Sequence, residues 1–260
     1  MSPLSACLRA HLEKLEGQAG FCAENLHTGQ KICHGDRRFL SASTIKIPVL
    51  ALYWADREKG HFAETEYLYQ SQDWVEDSPY FENIAPGSAI PWDEIARQMI
   101  IISDNTATNL LIQRLGLKRI QAWLNANGFK TTRIERYMMD LEARAQGIDN
   151  WTSPSEMCRL MKKLVKGEVT EPGSQGLQAI LQTLHQQQDL EKIPHFFSAP
   201  ILVANKPGEL PGTRSDVGYL HNAQHEIVMA LFTDQLKNEA TSDLWLATLA
   251  QILWRELTDS

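Results

Sequence analysis

The sequence predicts an α/β fold with an inserted all-helical lobe, and three observations carry that expectation. Strand-like segments occur near both ends of the chain: 20–26 and 30–34 early, then 201–204, 217–220 and 227–232 late. The long middle carries helical spacing instead. Helical patterns also open and close the chain, so one sheet of about five strands, built from both termini and flanked by terminal helices, encloses the middle lobe. The boundaries read as 1–40 plus 192–260 for the α/β lobe and 41–191 for the helical lobe.

Taken in order, residues 2–18 mix Arg9, His11, Glu13, Lys14 and Glu16 with leucines, which describes an amphipathic helix rather than the apolar core of a signal peptide. Thr28-Gly29 is a hairpin turn between the first two strands. Ser41 to Thr44 offers N-cap residues, and Ile45, Val49, Leu50 and Trp54 follow at helical spacing, so a helix begins at Ser43 and runs to about Gly60. Trp92 to Phe129 is helical, with breaks near Ser103-Asp104-Asn105 and at Gly116. Residues 131–152 form a long mixed-charge loop, a length that is usually functional in a compact domain. Ser153-Pro154-Ser155-Glu156 combines a cap, a proline at the first helical position and a capping-box glutamate. A second helix follows from Ser174, and the chain closes with a helix from Ser242 to Leu257.

With 260 residues, 43% hydrophobic content, a formal charge of −7 and no basic cluster, the chain can bury a large core but offers nothing to nucleic acid. No apolar run reaches the roughly 18 residues a membrane span needs. The expected partner is a small molecule, with no membrane, nucleic-acid or obligate protein partner. As written the chain reads as cytoplasmic, or as periplasmic or secreted if a leader has been removed. Cys7, Cys22, Cys33 and Cys158 lack metal-ligand spacing and are expected as reduced, mostly buried thiols, although Cys22 and Cys33 flank the hairpin turn and can face each other. The eight histidines show no H-E-x-x-H or comparable pair, so neither a catalytic metal nor a cofactor is expected.

Ser43-Thr44-Ile45-Lys46 is the only Ser-x-x-Lys of the chain. The i, i+3 spacing puts a nucleophilic hydroxyl and an amine on one side of a helix end, where backbone N–H groups favour developing negative charge. Ser103-Asp104-Asn105 follows 60 positions after Ser43, and Lys206-Pro207-Gly208 lies 103 positions after Ser103, at the end of a predicted strand. In this order and spacing the three groups resemble the S-x-x-K, S-D-N and K-T-G signature of serine β-lactamases and penicillin-binding proteins, class A β-lactamases in particular. The likeness extends to Asn105–Leu111, Thr132–Arg136 and Gly212-Thr213-Arg214.

That resemblance implies an antiparallel three-layer fold and an acyl-enzyme on Ser43. Lys46 serves as base or proton relay, Ser103 carries a proton to the departing nitrogen, and Lys206 supplies positive charge beside it. Asn105 accepts from Lys46 and donates to substrate, Gly208 and Glu209 belong to the substrate-binding strand, and the backbone N–H groups of Ser43 and Glu209 hold the oxyanion.

Three departures follow from the same comparison. Methionine, Met138, stands where class A enzymes carry the glutamate that activates the deacylating water; Glu142 occupies the neighbouring asparagine slot and is the expected deacylation base, with Asp140 second. Pro207 removes a hydroxyl beside Lys206, leaving Thr213 or Arg214 to meet a substrate carboxylate. Asp77 replaces an aromatic residue at the cleft mouth, with Trp74, Tyr80 and Phe81 as alternatives. The leading expectation is a class A-like serine hydrolase opening β-lactams. A slow-deacylating acyl acceptor (DD-peptidase, transpeptidase or esterase) and a non-catalytic binding protein that keeps the fold are the alternatives.

Overall fold

In the computed structural model, which describes residues 4–62, 64–170 and 173–259, a five-stranded antiparallel sheet lies between terminal helices and a helical lobe. Helix α1 (Ala6–Leu12) leads into β1 (Gln18–Asn25) and β2 (Lys31–His34). The other three strands are β7 (Leu202–Leu210), β8 (Thr213–His221) and β9 (Glu226–Asp234), and the spatial order is β2-β1-β9-β8-β7. Helix α9 (Ser242–Thr258) closes the chain. The sheet is therefore built from both termini, and its late strands are longer than the periodicity alone marks out.

Both faces of the sheet are buried, and strand alternation divides the core in two. Phe21, Ala23, Leu220, Ile227, Met229 and Leu231 pack with Leu8, Leu246 and Leu253 against the terminal helices. Cys22, Val217, Tyr219, Val228, Ala230 and Phe232 face the helical lobe. This explains the nearly continuous apolar run of β9, since a strand covered on both sides has no polar face.

Two short antiparallel pairs brace the lobe, β3 (Phe39–Leu40) with β6 (Trp151–Thr152) and β4 (Glu66–Leu68) with β5 (Ala89–Pro91). Helix α2 (Lys46–Glu58) runs through the centre and is buried at every position from Lys46 to Tyr53, as a helix apolar all round must be. It starts later than expected. Residues Ala42–Ile45 form a 3-10 turn, so Ser43 precedes the α-helix instead of capping it. Helices α3 (Trp92–Ile101), α4 (Asn105–Leu115) and α5 (Leu117–Ala126) break where the sequence indicates, the first at a cap formed by Asp104 and the second at Gly116, whose φ of 84° suits a residue without a Cβ.

The 131–152 loop contains the short α6 (Leu141–Ala145) and is tied at its base. Arg133 bridges Trp151, Asn150 Oδ1 accepts from the N–H groups of Glu135 and Arg136, and Arg136 pairs with buried Asp149 at 2.8 Å. Helix α7 (Pro154–Val165) starts under a Ser153 cap, but Glu156 does not close a capping box. Its carboxylate accepts from Lys130, Thr131 and Thr132 N–H instead and anchors the start of the loop. Helix α8 (Gln175–His185) completes the lobe. No described helix is long and apolar enough to cross a membrane. Cys22 and Cys33 correct the expectation of reduced thiols: they are direct cross-strand partners joined as a disulfide, while Cys7 is exposed and Cys158 buried.

Candidate active site

A cleft of about 1100 Å³ opens between β7 and the helical lobe, and Ser43, Ser103, Asn105, Lys206, Gly208 and Glu209 all line it. They arrive from three places. The 3-10 turn before α2 brings Ser43, the α3–α4 junction brings Ser103 and Asn105, and β7 brings the other three. Lys46 lies beneath, fully buried in the first turn of α2.

Lys46 Nζ donates to Ser103 O at 2.6 Å, Ser103 Oγ at 3.0 Å and Asn105 Oδ1 at 2.8 Å. Burial holds its pKa well below the ordinary lysine value, and the nearby Lys206 charge pushes it in the same direction. Lys206 Nζ reaches the same Ser103 Oγ at 3.0 Å and Pro207 O at 2.8 Å. Desolvation pulls Lys206 down to about 7 despite the opposing carboxylate of Asp216. A hydroxyl has two lone pairs and one proton, so Ser103 can accept from both amines and still point its own O–H into the cleft. Ser43 is half-buried, and no hydrogen bond among the described residues engages its Oγ. The hydroxyl is thus free to attack.

Backbone strain gathers around this cleft. Of the non-glycine residues with left-handed φ, Ala42, Asp77, Ser103 and Met139 line it, and only Gln235 lies elsewhere among the described residues. Such conformations cost on the order of 1–3 kcal/mol each and persist where the surroundings dictate them. Gly208 adds a close approach: a Cβ there would stand 2.9 Å from Ser43 N and 2.8 Å from Ser215 Oγ. Only glycine lets β7 come this near the Ser43 N–H. Pro207 does not end the strand, as the sequence suggested; β7 is an edge strand and continues through it, where a missing donor is tolerated.

Three expected residues are not brought into the cleft. Glu142 is exposed and does not line it; Asp140 caps α6 through Ala143 N–H at 2.9 Å, and the helix turns Leu141 toward the cleft and Glu142 to solvent. Arg214 belongs to the opposite sheet face from Val217 and Tyr219. Its guanidinium donates to Leu210 O, Thr213 O and Glu239. Thr213 is buried in the β7–β8 hairpin and does not line the cleft either. At the mouth, Trp74 is exposed and lines the cleft beside Asp77, whereas Phe81 is core. Met138 does line it, and its backbone is clamped by Asn109, which donates to Met138 O at 3.1 Å and accepts from Met138 N at 2.7 Å.

Lys192 went unnoticed in the sequence because an Asp-x-x-Lys spacing is commonplace. It is a buried cation that ties together the carboxylates of two residues at the cleft, Asp189 at 2.9 Å and Glu209 at 2.5 Å, the latter on the sheet face it shares with Arg214. Burial alone would lower its pKa, but these two acids outweigh that and raise it above the ordinary value.

A family model described as "Beta-lactamase enzyme family" matches residues 3–257. A beta-lactamase of Rhodobacter capsulatus is 30% identical over 168 residues, 63% of this chain and 57% of its own length, so the chain spans little more than half of that relative. A beta-lactamase of Streptomyces fradiae is 25% identical over 264 residues, covering 97% of this chain and 85% of its own. Among solved structures, the beta-lactamase from Sphaerobacter thermophilus DSM 20745 superposes with a TM-score of 0.88 at 25% identity, over 98% of this chain and 97% of that one.

Proposed function

The chain belongs to the beta-lactamase enzyme family, and from that premise we propose that it is a serine hydrolase that opens β-lactams and related amides through an acyl-Ser43 intermediate. The observation that carries the reading is the shared oxygen of Ser103, held at 3.0 Å by both Lys46 and Lys206. Ser43 Oγ attacks the carbonyl carbon as its proton passes to the neutral amine of Lys46. The oxyanion is held by the N–H groups of Ser43 and Glu209, and Gly208 allows the strand its approach. As the C–N bond breaks, Ser103 O–H protonates the departing nitrogen and is resupplied from the lysines on either side. A positioned base contributes about 10²–10⁴-fold and an oxyanion donor about 10²–10³-fold.

Deacylation is the slow half of this reaction. Met138 cannot take a proton, and the outward position of Glu142 favours a long-lived acyl-enzyme over efficient release. The test is mass spectrometry of the protein mixed with a penicillin, followed over time. A penicillin-sized mass gain that maps to Ser43 and decays slowly, with hydrolysed product accumulating, is the expected result; no adduct would leave a non-catalytic binding protein. Substitution Glu142→Gln is expected to leave the decay rate unchanged, and a slower decay would return Glu142 to the role of base.

A further inference from the structure

His185 ends α8 and His221 ends β8, four residues beyond Val217, the register partner of Lys206. At about 3.4 Å per residue that is some 14 Å along the strand from the catalytic lysine. His185 Nδ1 lies 3.0 Å from Val203 O. A carbonyl only accepts, so Nδ1 carries the proton and Nε2 of the neutral ring presents its lone pair. That lone pair faces His221 Nε2 at 3.4 Å, with the rings inclined at 60°.

The spacing is long for a hydrogen bond. It is the spacing of two nitrogens on one tetrahedral metal ion: bonds of 2.0–2.1 Å at the tetrahedral angle put the two donors roughly 3.3–3.4 Å apart. A backbone carbonyl that fixes the tautomer of a ligating histidine is the usual outer support of such a site. His221 is held in turn, stacked on Tyr219 at 4.8 Å and 11°, and Tyr219 O–H donates to Glu226 Oε1 at 2.6 Å. Glu226 stands directly across the β8–β9 ladder from His221, and its other oxygen meets His27 Nε2 at 3.1 Å. The carboxylate supplies negative charge beside the position a dication would take.

We propose that His185 and His221 form a two-histidine site for a divalent transition-metal ion, Zn²⁺, Ni²⁺ or Cu²⁺, with water in the remaining positions. No third histidine, cysteine or carboxylate completes the set among the described residues, so the site is an open chelate and binds reversibly. Imidazole pairs suit these ions, and Cu²⁺ binds most tightly of the three. An occupied site staples the end of α8 to β8, immediately before Gln187, Gln188 and Asp189, which line the catalytic cleft.

The experiment titrates Cu²⁺ and then Zn²⁺ into tag-free, metal-stripped protein by calorimetry, for the wild type, His185→Gln, His221→Gln and the control His61→Gln. Circular dichroism and metal-free melting establish that each variant is folded. One equivalent bound by the wild type and His61→Gln, at least ten-fold weaker binding in both other variants, and two-nitrogen splitting in the Cu²⁺ spin-resonance spectrum are expected. Binding unchanged in either His185→Gln or His221→Gln, one-nitrogen splitting, or no binding by the folded wild type would overturn the chelate.

Discussion

Lys46 Nζ and Lys206 Nζ, one on a helix and the other on a strand across the cleft, both lie 3.0 Å from Ser103 Oγ. Burial holds the pKa of both below the ordinary lysine value. A single hydroxyl therefore joins the two buried amines of the cleft.

Residues that act through one atom should not contribute additively. Substitution Ser103→Ala is expected to slow acylation by about 10²–10⁴-fold, and adding Lys206→Met to it should slow the reaction by much less than the product of the two single effects. Stopped-flow acylation with a chromogenic β-lactam, run on both single variants and the double variant, provides the check. Fully multiplicative losses would separate Lys206 from Ser103.

In the proposed mechanism the same pair sets the pH profile. Lys46 must be neutral to accept the Ser43 proton, so acylation rises as it deprotonates; Lys206 must keep its proton to support Ser103, so the rate falls as pH passes about 7. The alkaline limb of kcat/KM is expected near that value. Lys206→Arg, which stays charged, should move the limb upward by more than one pH unit.

Burial of Lys206 also has a stability cost with a defined sign. Below about 7 the folded and unfolded states both bind the proton; between about 7 and 10.5 only the unfolded state does, so stability climbs with pH through that window. At pH 7 the penalty is present almost in full. Lys206→Met is therefore expected to be more stable than the wild type at pH 7, by on the order of a few kcal/mol, and inactive. The difference in chemical denaturation should shrink between pH 7 and 10.

Gly208→Ala tests the close approach of β7. The new Cβ would meet Ser43 N at 2.9 Å, and backbone cannot swing aside as a flexible side chain can. Overpacking of this kind costs about 1–3 kcal/mol, and displacing one oxyanion donor costs about 10²–10³ in rate. Acylation should fall by that factor with only modest loss of stability, and unchanged acylation would detach Gly208 from the site.

What the sequence reveals and what it hides divide on physical lines. Order and spacing single out Ser43, Lys46, Ser103, Asn105 and Lys206 as candidates, and the structure gathers all five around one cleft because each sits where a periodic pattern begins, ends or turns. Caps are legible too, since Asp104 and Ser153 bond their own helices. Direction around an element is not. Arg214 falls on the far face because the β7–β8 hairpin pairs it with Glu209 in a register that no local pattern fixes, and Glu142 turns outward because Asp140 sets the phase of a helix of only five residues. Cys22 and Cys33 became partners for the same reason: whether two cysteines flanking a turn are opposed or offset depends on register, and here they are opposed.

Met138 offers the strongest test of the deacylation argument, because it asks for a gain. Met138 lines the cleft, and its backbone is fixed by both hydrogen bonds to Asn109, so a glutamate placed there starts from a held Cα. Met and Glu have similar length, which keeps the volume change small. At 8% exposure the carboxylate loses part of its hydration, which raises its pKa and makes it a better base for a water molecule. Met138→Glu is expected to speed decay of the acyl-enzyme by about 10²–10⁴-fold, the contribution of a positioned general base, while the acylation rate changes little. The readout is the lifetime of the Ser43 adduct by mass spectrometry alongside steady-state turnover. An adduct that decays no faster in a folded Met138→Glu protein would mean that release is limited by something other than the missing base.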